Sequence, residues 1–153
     1  MNQGIKISKL TFISWLFKIA VCWSQTSVYT PPPGSPERQE IMDVMRLDFY
    51  RADPIRAHRN PDRVFNIVIY LKVHGDWALT EVQPVDAAGK EIAEPRWGLL
   101  YRKAGKWTDV DYDDAIERYP ANDFDANDMT SVAIRNIQRA FPHVPKDIFP
   151  RHP

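Results

Sequence analysis

The run from Val64 to Val73 is rich in β-branched and aromatic residues and closes on His74-Gly75-Asp76, a tight-turn sequence. Branched side chains crowd a helix but fit a pleated surface, so the run predicts a strand. Period two places Phe65, Ile67, Ile69, Leu71 and Val73 on one face, and Asn66, Val68, Tyr70 and Lys72 on the other. Both faces carry apolar residues, so both are expected to be partly covered. Beyond the turn, Trp77, Leu79 and Glu81 alternate with Ala78, Thr80 and Val82, a partner strand that completes an antiparallel hairpin. Asp86 to Lys90 supplies a second turn, Pro95 interrupts the ladder because it has no N–H, and Arg96 to Lys103 resumes as a strand. Ala104-Gly105 turns the chain again. Along the last strand, Val110 and Tyr112 are expected to face the core, and Asp109 and Asp111 to face water.

Helices bracket these strands. Ser35 offers a capping hydroxyl, Pro36 suits a first helical position, and Glu37 complements the helix dipole. Ile41, Val44, Met45 and Phe49 then recur at helical spacing, so one side of this helix must be buried. Ala52 to Arg63 is polar, contains Pro54 and Pro61, and reads as a loop. A short helical turn is expected around Ala115 to Arg118, and a second helix over Met129 to Phe141 with Asp128 as its cap. Pro142, Pro145 and Pro150 prevent regular structure in the C-terminal tail, leaving Val144, Ile148 and Phe149 to pin it to the domain. The fold class predicted is α+β: an N-terminal helix packed on a four-stranded antiparallel meander, followed by a C-terminal helix.

The 153 residues suffice for one domain. Lys6 and Lys9 precede an apolar run from Leu10 to Phe17 that resumes after Lys18, the layout of a secretory signal peptide, with cleavage expected after Ser24 or after Cys22. The division expected is a signal peptide over 1–24, an extended proline-rich tether or strap over 25–34, and one α+β domain over 35–153. A buried N-terminal helix or a membrane anchor is the competing reading, although Lys18 interrupts the run and about 20 apolar residues are needed to span a bilayer. Ile19-Ala20-Val21-Cys22 is similar to a lipoprotein box, with Val21 where a small residue is expected. Cys22 is the single cysteine, so cleavage beyond it leaves no disulfide, cysteine nucleophile or zinc-thiolate site. Loss of the three lysines leaves 17 basic against 20 acidic residues, a net charge of −3 that does not suggest a nucleic-acid binder.

Two segments carry a resemblance: Pro31-Pro32-Pro33-Gly34-Ser35-Pro36-Glu37-Arg38 running into Ile41-Met42-Asp43, and Leu71-Lys72-Val73-His74-Gly75-Asp76-Trp77-Ala78. Together they resemble a set of small exported proteobacterial proteins of unknown role. The likeness spans Tyr29 to Tyr112 and implies export and fold, but no catalytic residue. In architecture, the order helix, meander, helix is similar to cystatin-like and NTF2-like folds, in which a curved sheet wraps a helix.

Candidate chemistry is sparse. Trp77, Trp97, Tyr101 and Trp107 lie on three of the expected strands and are candidates to line a ligand pocket, with core packing as the alternative. Asp123, Asp125 and Asn127 place oxygens at alternate positions as a calcium loop begins, but Asp128 stands at the glycine position and Ile134 at that of the closing glutamate. His58, His74, His143 and His152 lack metal-ligand spacing, and His74 with Asp76 is the one acid–base pair suggested by proximity. No phosphate loop or serine nucleophile elbow is present, and no cofactor is called for. The expectation is a non-catalytic binding or envelope-associated module with a protein or cell-envelope partner. The alternatives are an NTF2-like small-molecule pocket and an immunity-type inhibitor of a secreted toxin, whose Asp109 to Asp128 stretch would face a basic partner.

Overall fold

The structure, a computed structural model, describes residues 27–52, 64–112 and 129–151. The expected signal peptide, the Ala115–Arg118 turn, the calcium-type loop, and most of the polar segment after Ala52 lie outside these residues.

Helix α1 (Pro36–Ala52) starts where the capping chemistry places it. The Arg38 amide donates to Ser35 Oγ (3.3 Å), and the Gln39 amide to the Ser35 carbonyl (3.0 Å). Its buried stripe is Ile41, Met42, Met45 and Phe49. Strands β1 (Phe65–His74), β2 (Trp77–Val85), β3 (Arg96–Lys103) and β4 (Lys106–Val110) form one antiparallel meander in chain order. Two-residue turns join the outer pairs. Gly75 (φ +60°) opens the first, and Ala104 (φ +50°) with Gly105 (φ +78°) makes the second, matching the right-handed strand twist.

Regular alternation fails once. A bulge between Val68 and Tyr70 inserts Ile69 into β1. The extra residue reverses the side-chain parity, so the face expected to hold five apolar residues is split. Leu71 and Val73 are buried beneath α1, whereas Phe65 and Ile67 point away from α1 and, like Ile69, remain about half exposed.

The sheet separates two apolar layers. On one side, Ile41, Met42 and Met45 of α1 meet Leu71, Val73, Ala78, Val82, Leu100 and Trp107. Helix and strand approach so closely that a Cβ on Gly98 would lie 2.2 Å from Met45 Sδ, which accounts for a glycine inside β3. On the other side, helix α2 (Ser131–Ala140) and the tail press Ala133, Ile137, Val144, Ile148 and Phe149 onto Leu79 and Leu99. Helix α2 begins two residues later than expected. The Thr130 hydroxyl accepts from the Ala133 amide (3.2 Å) and is the cap, which leaves Met129 outside the helix and buried in the core.

The proline-rich segment runs as a strap along the outer edge of β1. Tyr29 and Val73 exchange both backbone hydrogen bonds (2.9 and 2.8 Å), and Thr30 Oγ1 donates to the Leu71 carbonyl (2.9 Å). Tyr29 Oη donates to Glu37 (2.8 Å), which also pairs with Arg102, and the Arg102 guanidinium lies 4.3 Å from the centre of the Trp107 ring.

Candidate functional site

A cleft of about 200 Å³ opens where the C-terminal end of α1 meets the end of β4. Asp48 and Ala52 enter from the helix, Arg96 and Trp97 from the start of β3, and Asp109 to Tyr112 from β4 and the residues after it. Helical spacing puts Asp48 three residues after Met45, at the margin of the buried stripe. Strand register puts Arg96 opposite Val82 on the same sheet face, so the guanidinium emerges beneath the helix and pairs with the Asp48 carboxylate. Arg96 Nε is buried and meets no acceptor among the described residues.

Asp109 stands opposite Leu100 and shares its face with Trp107, under α1. The alternation expected from the sequence is present, but the side assigned to water is covered by a helix, so Asp109 is half-buried and not on a solvated face. Burial pushes its carboxyl up to about 6, and the negative charges of Asp48 and Asp111 push in the same direction against Arg96 and Arg51. A carboxylic acid that changes charge near pH 6, beside an ion pair and an indole, can hold or release a proton on a bound polar group.

The four aromatic candidates do not converge. Trp77, Trp97 and Tyr101 occupy the α2 side of the sheet, where Trp77 meets Tyr101 (4.8 Å between centroids) and Phe141 (6.2 Å), and Trp97 meets Tyr70 (5.4 Å). Trp107 is buried on the α1 side, its backbone N–H donating to Glu40 (3.1 Å). Of the four, only Trp97 lines the cleft, and its carbonyl accepts from Tyr112 Oη (3.2 Å). Sequence reasoning did not join Asp48, Arg96 and Asp109, which lie far apart in the chain. The available signal was weak: an aspartate flanking the apolar stripe of α1, and an arginine opening a strand.

His74 and Asp76 are not brought together. His74 Nδ1 instead contacts both carboxylate oxygens of Asp147 (2.8 and 3.0 Å), while Asp76 lies 4.0 Å from Arg102 Nε. Among the described residues, no group of three His, Cys, Asp or Glu side chains is placed to hold a metal ion. No described helix is long and apolar enough to cross a membrane.

The chain matches no protein-family model, and comparison with curated proteins and solved structures finds no match. Any functional reading therefore rests on the site.

Proposed function

We propose that the protein is an exported binding module that takes a small polar ligand in the cleft between α1 and β4. The observation that carries this reading is the half-buried Asp109, held beside the Asp48–Arg96 pair and Trp97 at a concave surface. Keeping charged groups partly out of water costs free energy, and such groups gather where they meet a ligand. A space of about 200 Å³ suits a ligand of a few heavy atoms and is smaller than a typical drug-sized pocket. The helix-then-meander order supports a kinship with cystatin-like and NTF2-like folds, and the basic-then-apolar N-terminus supports export.

The test is a ¹⁵N NMR titration of the purified protein with millimolar small amines, carboxylic acids and sugars. Shifts confined to Arg96, the Trp97 indole, Asp109 and Val110 are expected for at least one class and are lost in Asp109→Ala. Silence of these signals across all three classes would remove the cleft from consideration. Mass spectrometry of the tagged full-length protein reads the export half of the proposal, with a mature start near Gln25 expected and an intact Met1 counting against it.

A second reading has its own observation. Phe65, Ile67 and Ile69 expose about half of their surface along an edge strand, which suits contact with a protein partner. Crosslinking that reaches this strip, with the cleft unperturbed by small probes, would favour it.

A further inference from the structure

The last described residues are held to the sheet in two ways. Ile148 and Phe149 are buried against Leu79 and Leu99, and Tyr70 Oη donates to the Ile148 carbonyl (2.7 Å). Between them and the β1–β2 turn lies a third contact, in which His74 Nδ1 faces both oxygens of Asp147 in the 3-10 turn Lys146–Ile148. It joins the final residue of β1 to a turn 73 positions later, and it is the link in this attachment that carries a titratable cation.

We propose that the His74–Asp147 contact is a proton-operated latch that tightens the docking of the C-terminal tail on acidification. Burial of Ile148 and Phe149 gives the tail its resting affinity for the sheet. The imidazole adds an ordinary hydrogen bond when neutral and a charge-assisted one when protonated, so the increment depends on pH where histidine changes charge, between about pH 5 and 8. The neighbouring groups leave His74 as the switching element. Tyr70, on the same strand, is pushed above its ordinary range by burial and then by the Asp147 charge, and so stays neutral throughout this window. Lys72 donates to Thr30 Oγ1 (3.1 Å), Asp76 lies by Arg102, Lys146 adjoins Asp147 in the turn, and the residue paired with His74 on β2 is the uncharged Trp77.

Hydrogen exchange of the Ile148 and Phe149 amides, which close the 3-10 turn onto Pro145 and Lys146, reports tail opening directly. In the full chain, corrected for intrinsic exchange rates, protection at these amides is expected to be about threefold higher at about pH 5.5 than at about pH 8, as suits a partly exposed pair. Asp147→Asn and His74→Gln should each flatten that ratio to one while the amides of Leu79 and Leu99 keep their protection. A ratio of one in the unaltered chain, or an undiminished ratio in Asp147→Asn, would overturn the latch.

Discussion

Asp109 shows how much one side chain's surroundings can change its meaning. Its ordinary value is 3.8, and burial with two neighbouring carboxylates raises it to about 6. The folded protein therefore holds the proton more tightly than the unfolded chain. Stability contributed by that proton is present at acid pH and is lost as pH rises through about 6. Asp109→Asn, which mimics the protonated form, is expected to match the unaltered protein near about pH 4 and exceed it by about 1 kcal/mol at about pH 8, a figure discounted because water screens part of the effect. Urea unfolding at the two pH values checks this, and parallel behaviour of the two proteins would show that Asp109 is better solvated than its position under α1 implies.

At the scale of elements, β1 is the instructive case. The alternation of Phe65, Ile67, Ile69, Leu71 and Val73 is unbroken in the sequence, yet the bulge at Ile69 sends the first two to the opposite face from the last two. Bulges carry no side-chain signature of their own here, because the inserted residue is as apolar and branched as its neighbours. The consequence is measurable. Ile67→Ser is expected to change stability by less than about 0.5 kcal/mol, as at other surface positions, whereas Leu71→Ala should cost about 2–5 kcal/mol through the cavity it leaves. Comparable losses at both positions would mean that the strand keeps a single register. The strap and α1 were more legible, because proline restriction and N-capping act within a few residues.

Across the whole molecule, one sheet serves both apolar layers, since Leu79 and Leu99 look one way while Ala78 and Leu100, their neighbours in the chain, look the other. Neither layer can be lost without exposing the back of the same strands. Ile41→Ala and Ile137→Ala, on opposite sides, are therefore each expected to lower one common unfolding transition by about 2–5 kcal/mol, seen alike by tryptophan fluorescence and far-UV circular dichroism. Two separated transitions in either variant would show that the layers unfold independently.

The sequence by itself determined the α+β class, the hairpin turns, the start of α1, and the meander with its strands in chain order. These come from interactions between residues close in the chain, where turn geometry, capping and branched side chains leave few choices. Tertiary structure alone decided that both faces of the sheet are covered, that Asp109 lies under a helix, that Trp107 is parted from the other aromatics, and that His74 meets Asp147. Periodicity says which residues share a face, but not what is laid over that face. The covering is set by packing between segments distant in the chain, and the cleft and the latch exist only where such segments meet.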